Sequence, residues 1–198
     1  MLRQLMRSTA LLVVLGLMST PIQAEPERFR LDESHISVGF LIGHARFADV
    51  LGQFTDVSGG FRYDAETRTL HSGRVEVAAA SVFTGHDERD GHVRDDDFLA
   101  ADAHPAIVFE ASGYEPTGER EGILRGELTL LGVTRPIELD LTLNRCGAHS
   151  IGGADTLGGS SRGAIRRSEF GMDYGLEGDL VGDRVELIIE FEAIRQDD

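Results

Sequence analysis

The richest group of reactive side chains in this sequence lies between residues 86 and 97. The stretch contains two imidazoles and six carboxylates, and the five that we consider as a possible cluster are His86, Asp90, His92, Asp96 and Asp97. Imidazole nitrogens and carboxylate oxygens are common ligands of zinc and related metals, and His35 and His44 could add to them. The spacing matches no compact ligand motif, so we predict no metal site and keep a metal-dependent hydrolase as an alternative hypothesis.

Side chains that could act as nucleophiles lack the partners that would activate them. Three serines have no nucleophile-elbow sequence around them: Ser160, Ser161 and Ser168. Cys146 has only Arg145 and His149 nearby, in what the pattern predicts to be a loop. The glycine pairs at 152–153 and 158–159 follow no strand-to-helix pattern, which favours a hairpin loop over a phosphate site. We therefore predict no catalytic residue and a protein that is not an enzyme.

The charged stretch is predicted to be a short helix in an otherwise extended chain. Asp87 is suited to cap its N-terminus, and Asp90 and Arg94 stand at i and i+4 with the acid first, the favourable order. The apolar pair Phe98-Leu99 follows directly. We interpret residues 81–112 as two strand-like runs joined by a helical lid.

The elements around the lid are predicted to be β-strands. Apolar and polar residues alternate along 36–43, 137–143 and 185–192, so each strand has one apolar face and one polar face. Shorter strand-like runs and tight turns lie between them, giving about eight strands in an antiparallel meander. Closure into a barrel would remove the two edges of such a sheet. We predict an all-β fold, an eight-stranded antiparallel β-barrel with one short helical lid, with an immunoglobulin-like sandwich as the competing architecture.

The first 24 residues are typical of an export signal. Two arginines precede an apolar run over residues 10–18 that is too short to span a bilayer, and Ala24 is a small residue suited to cleavage. We expect residues 1–24 to be a cleavable signal peptide and residues 25–198 to form one domain. The mature protein would then be periplasmic.

The negative charge of the chain limits the kinds of partner that it can bind. The formal net charge is −15, and cleavage after residue 24 would remove two arginines and make it −17. Such a surface repels nucleic acid and anionic membrane faces, so we expect no nucleic-acid partner. Cys146 is the only cysteine and cannot form an internal disulfide, although it could link two copies into a homodimer.

Five blocks of sequence, in order, resemble the YceI-like family of secreted lipid-binding proteins. In the lid, Arg89-Asp90-Gly91-His92-Val93-Arg94, with Asp97-Phe98 and His104-Pro105, is similar to the family's R-D-x-H-L-R-x-x-D-F and Y-P signature. The other blocks are Asp32-x-x-His35-x-x-Val38-x-Phe40 with His44, Gly52-x-Phe54, residues 126–136 and Arg167-Ser168-Glu169-Phe170-Gly171. The departures, such as Val93 for Leu and Glu169 for Asp, are mild.

That resemblance implies a lipocalin-like barrel that binds a polyisoprenoid or other long-chain lipid and uses no cofactor. The lipid tail would contact inward-facing apolar side chains: Val38, Phe40, Ile42, Phe54, Phe61, Val75, Val77, Phe98, Leu99, Val108, Leu128, Leu130, Leu139, Leu141, Phe170, Leu187 and Ile189. The head group would contact four lid residues: Arg89, Asp90, His92 and Arg94. Taken alone, the aliphatic pattern favours a packed core, as in a stress or interaction protein with a filled barrel, and the lid charges are equally typical of a solvated helix surface.

A barrel of this kind suits a carrier or storage protein. Burying an apolar tail is worth about 0.8 kcal/mol per methylene relative to water, but little relative to a bilayer interior that is equally apolar. Exchange with a membrane during a transient contact would therefore be nearly balanced. We expect the head group and the length of the cavity to supply selectivity.

Overall fold

A computed structural model describes residues 25–197 of the chain, and the expected signal peptide lies outside them. These residues form one α-helix, α1 (Asp87–Arg94), and eleven strand segments. The strands are β1 (Glu27–Leu31), β2 (Ser37–His44), β3 (Ala48–Phe54), β4 (Val57–Asp64), β5 (Thr69–Ala78), β6 (Val82–Phe83), β7 (Ala106–Pro116), β8 (Glu121–Leu130), β9 (Val133–Ala148), β10 (Asp155–Arg166) and β11 (Val181–Gln196). Short 3-10 turns lie at Ala79–Ser81, Arg167–Phe170 and Glu177–Asp179.

The strand segments occupy eight positions of one closed antiparallel barrel. Three positions each hold two consecutive segments: β1 with β2, β3 with β4, and β5 with β6. The two segments of a pair lie end to end, because they pair with the same adjacent position of the barrel. Strand β11 closes the barrel by pairing with β1, where Ala193 faces Leu31, and with β2, where Ile189 faces Val38. The predicted eight-stranded barrel is confirmed. The sandwich is excluded, since the last strand pairs with the first.

Helix α1 interrupts the barrel between β6 and β7, as predicted. Its N-cap is His86, whose Nδ1 accepts a hydrogen bond from the Arg89 amide at 3.3 Å, so the expectation that Asp87 caps the helix is wrong. Asp87 is instead the first helical residue, where a carboxylate interacts favourably with the exposed amides of the first turn. In the part of the chain that the structure describes, no helix is both long and apolar enough to cross a membrane.

Buried apolar side chains gather in two clusters at opposite ends of β11. The lid cluster contains Val82, Phe98, Leu99, Leu128, Leu130, Phe170 and Met172, with Val181 packed against it. The far cluster contains Phe29, Leu31, Tyr63, Leu157 and Ala193. The interior between the two clusters is where the barrel can hold a ligand.

Candidate functional site

The barrel encloses a cavity of about 670 Å³ whose wall includes members of both clusters. This volume lies within the range of small-molecule sites in proteins, about 300–1,000 Å³. Aliphatic and aromatic side chains from all eight strand positions form most of the wall. The interior is therefore not the packed core that the aliphatic pattern alone favoured.

All but two of the residues predicted to contact a lipid tail line this cavity. They are Val38, Phe40, Ile42, Phe54, Phe61, Val75, Val77, Phe98, Leu99, Leu128, Leu130, Leu139, Leu141, Leu187 and Ile189. Val108 does not line it, because side chains alternate along a strand and its neighbours Ile107 and Phe109 point inward. Phe170 does not line it either: it is fully buried in the lid cluster, beside the cavity wall.

Two glycines help to keep the interior open. Gly52 on β3 faces Phe40 on β2, and a Cβ added at Gly52 would overlap the Phe40 ring. In the same way, a Cβ at Gly126 on β8 would overlap the ring of Phe109 on β7. Each ring therefore occupies the space of a missing side chain on the wall, which leaves the centre of the barrel free.

Polar side chains reach the cavity mainly from the lid and the segments around it: His44, Thr84, His86, Glu88, Arg89, His92 and Tyr174. Of the predicted head-group residues, Arg89 and His92 are in this set. Arg89 is held by Thr84, whose hydroxyl and carbonyl oxygens accept from Nε at 2.7 Å and from Nη2 at 2.9 Å. The Nε2 atom of His92 lies 2.9 Å from an Asp97 carboxylate oxygen, and its ring packs edge-to-face against Phe98 and Tyr174.

Asp90 and Arg94 do not line the cavity, which corrects their assignment to the head group. Asp90 is only 3% exposed, and its carboxylate accepts from both the amide and the hydroxyl of Thr84. The hydrogen bond from the Thr84 hydroxyl lowers the pKa of Asp90 below its ordinary value. Arg94 donates from Nε to the Ala80 carbonyl at 3.0 Å. Both side chains therefore attach the lid to the chain that precedes it.

Arg167 lines the cavity, although the sequence reasoning named it only as part of a family block and did not assign it to the site. Its side chain is 0% exposed, and its guanidinium carbon lies 5.9 Å from the centre of the Phe98 ring. Burial lowers the pKa of Arg167. The guanidinium donates to four backbone carbonyls, those of Met172, Tyr174, Val181 and Gly182. The sequence signal was the Arg167–Gly171 block itself, but the four acceptors meet only in the folded chain.

The barrel, its apolar cavity and its helical lid define a β-barrel protein built around an internal apolar site. The family model described as the YceI-like domain matches residues 29–193. The chain belongs to this family, as the five sequence blocks indicated.

Relatives and solved structures agree with this assignment. A UPF0312 protein of Shewanella sp. strain MR-4 is 34% identical over 187 residues, which cover 91% of this chain and 94% of the relative. The Campylobacter jejuni YCEI protein, known from a crystal structure, has 29% sequence identity to this chain. The two structures superpose with a TM-score of 0.69, and the match covers 78% of this chain and 90% of that one. A polyisoprenoid binding domain from Saccharophagus degradans shares the fold, with a TM-score of 0.66 at 17% identity over 85% of this chain and 98% of that domain.

Proposed function

We propose that this protein binds the hydrocarbon chain of a polyisoprenoid or similar long-chain lipid inside the barrel and carries or stores it. The observation that supports this most directly is the apolar cavity of about 670 Å³ beneath the lid. The Saccharophagus degradans domain with the same fold is described as polyisoprenoid-binding, which supports the same class of ligand here.

The polar part of the ligand is proposed to lie at the lid. Arg89, His92 and Thr84 bring hydrogen-bonding groups to this end of a wall that is otherwise mostly apolar. An alanine at Arg89 is expected to weaken binding of lipids with polar heads more than binding of hydrocarbons of the same length. Equal loss for both ligands would place the head group elsewhere.

Mass spectrometry of lipid extracts tests the proposal. Protein purified from its native host should yield a long-chain lipid in organic extracts, and the Phe40→Glu variant should yield little, because a carboxylate would enter the apolar cavity. Leu51→Glu is the matched control, since Leu51 is exposed on the adjacent strand β3. A folded wild-type protein that yields no lipid and cannot be loaded with one would overturn the proposal.

A binding role rather than catalysis is part of this proposal. In the lid, Thr84 donates to Asp90 and Asp97 pairs with His92, so hydrogen bonds already account for these two side chains. The hydrolase alternative predicts a stoichiometric metal in the purified protein that is lost on His92→Ala. Elemental analysis of the two proteins separates the alternatives.

Export and self-association also remain proposals. The leader at residues 1–24 supports a periplasmic location, which fractionation of the native host would test. Cys146 is exposed and could join two copies, although burial of the sulfur and nearby carboxylates raise its thiol pKa and so disfavour the reactive thiolate. Electrophoresis without reductant would reveal a disulfide-linked dimer, and Cys146→Ser would remove it.

A further inference from the structure

A second group of ligating side chains lies on the outer wall of the barrel, where β1 breaks off and β2 begins. Oxygen atoms of Asp32 and Glu192 and a ring nitrogen of His35 all lie within 4.8 Å of one another. His149, from the loop between β9 and β10, adds a fourth group, with its Nε2 atom 3.8 Å from a Glu192 carboxylate oxygen. Asp32, His35 and Glu192 therefore form one group, in which the His35 Nδ1 atom lies 2.8 Å from an Asp32 carboxylate oxygen, and His149 approaches this group from its Glu192 side.

The backbone beneath these side chains is fixed by hydrogen bonds. The Asp32 amide donates to the Glu192 carbonyl at 2.9 Å, and the Glu192 amide donates to the His35 carbonyl at 3.2 Å. The Asp32 carboxylate also accepts from the Ser34 amide and hydroxyl. On the neighbouring strand, the residue that pairs with Glu192 is Gly158, which has no side chain to cover the site.

The His149 ring is held by the loop backbone, with its other nitrogen turned toward Glu192. Its Nδ1 atom lies 2.7 Å from the Ile151 carbonyl oxygen and 3.1 Å from the Ile151 amide nitrogen. The Nε2 atom faces the Glu192 carboxylate instead of the loop. A cation bound between Nε2 and that carboxylate would be shared by both side chains.

We propose that Asp32, His35, His149 and Glu192 form a binding site for a divalent transition-metal ion of the zinc type. Imidazole and carboxylate ligands suit Zn²⁺, whose bonds to nitrogen and oxygen of about 2.0–2.2 Å place neighbouring ligand atoms roughly 3.4 Å apart. The ligand atoms of Asp32, His35 and Glu192 lie within 4.8 Å of one another, so rotations of these solvent-accessible side chains, with His149 beside Glu192, would bring them to these distances. A bound ion would connect the break between β1 and β2 to β11 and to the β9–β10 loop.

The proposal is independent of the cavity and can be tested with Zn²⁺ itself. Titration of the purified protein, prepared without an affinity tag, should show one Zn²⁺ per chain by calorimetry and elemental analysis. Zn²⁺ should also raise the melting temperature, because an ion that binds only the folded state stabilises it. Glu192→Gln and His149→Ala should each weaken Zn²⁺ binding at least about tenfold.

Two control variants test whether Zn²⁺ binds at other histidines of the protein. His71→Ala removes an exposed histidine on β5 and should leave Zn²⁺ binding unchanged. His92→Ala removes the lid histidine and should also leave it unchanged. Absence of stoichiometric binding, retention of binding in both Glu192→Gln and His149→Ala, or loss of binding in His92→Ala would each overturn the proposal. Circular dichroism of the near-isosteric Glu192→Gln variant confirms that any loss does not come from unfolding.

Discussion

Arg167 connects the mouth of the cavity to the barrel wall. Its guanidinium joins the turn after the 3-10 segment to the start of β11 through four carbonyl oxygens, and its face packs near Phe98. A buried cation normally costs stability, but multiple hydrogen bonds to backbone oxygens offset much of that cost. The residue therefore orders a segment that the strand pattern could not have ordered by itself.

Replacing Arg167 by methionine should strongly destabilise the fold. The buried Met172 carbonyl and three partly buried carbonyls would lose their donor, and each unsatisfied buried group costs about 1–3 kcal/mol, so we expect a loss of about 3 kcal/mol in the free energy of unfolding. The adjacent Arg166→Met is the control, because the ion pair of Arg166 with Asp183 is exposed and such pairs contribute about 0–1 kcal/mol. Urea denaturation measures both, and equal losses would contradict this role for Arg167.

Asp90 should make the stability of the lid depend on pH. The Thr84 hydroxyl, followed by the Thr84 amide and nearby arginines, holds the pKa of Asp90 below 3.8 in the folded protein. Ionised Asp90 therefore stabilises the fold above pH 3.8, and that stabilisation is lost as the pH falls through the folded-state pKa. Asp90→Asn should lower the melting temperature by several degrees at neutral pH and by less in acid.

Thermal denaturation over a pH series checks this prediction. Asp96→Asn serves as the control, since Asp96 is exposed on the same segment. A difference between wild type and Asp90→Asn that stays constant across the acid range would show that the charge of Asp90 is not the stabilising feature.

The hairpin between β2 and β3 presents apolar surface next to the lid. Phe47 at its tip is 92% exposed, and Leu180, which lines the cavity and is partly exposed, accepts a hydrogen bond at its carbonyl from the Ala45 amide. Tyr174, also exposed and cavity-lining, contacts His92 of the lid. Phe47 thus lies two residues from a backbone contact with the cavity-lining Leu180, and we expect this end of the barrel to contact a membrane during lipid exchange.

Phe47→Ser should slow transfer of a fluorescent polyprenol from the protein to neutral vesicles. Full burial of a phenylalanine side chain is worth about 1.5–3 kcal/mol, and 1.4 kcal/mol corresponds to tenfold, so burial of about half of the side chain at the membrane predicts a slowing of roughly three- to tenfold. Ile151→Ser is the matched control, because Ile151 is 81% exposed on the β9–β10 loop, away from the lid. If both variants slowed transfer equally, exposed apolar surface in general, and not this hairpin, would be responsible.

The molecule as a whole carries a strong negative charge around an apolar interior. Its formal net charge is −15, while the cavity wall is mostly hydrocarbon. We expect the charge to keep the barrel away from anionic surfaces at long range and the apolar lid end to supply a short-range attraction to a bilayer. The two effects act over different distances, so ionic strength should separate them.

Transfer to anionic vesicles should be slower than transfer to neutral vesicles at low salt. Raising the ionic strength to about 1 M shortens the screening length to about 3 Å and should bring the two rates together. Stopped-flow fluorescence with vesicles that differ only in the fraction of anionic lipid measures the effect. A salt-independent difference would mean that lipid composition, and not protein charge, controls the rate.

Local patterns in the chain favoured a barrel and assigned the apolar face of its strands, whereas the open interior was predicted only from the family resemblance. Alternation along a strand is a property of neighbouring residues, so Val38, Phe40 and Ile42 could be assigned to one face before the fold was known. The lid could also be recognised, because a short helix with its own charge pattern stands out among strands. Val108 was misassigned since it lies in an unbroken apolar run, where alternation carries no information.

Contacts between distant parts of the chain determine the positions of the polar side chains, which local patterns did not predict. Asp90 and Arg94 were expected at the cavity, but their side chains are bound by Thr84 and Ala80 of the preceding chain, and no helical spacing encodes those partners. The carbonyl acceptors of Arg167 and the meeting of His35, His149 and Glu192 likewise depend on barrel closure and strand register. Periodicity specifies which face of a strand is apolar, whereas only the closed sheet specifies which residues from separate strands and loops come within bonding distance.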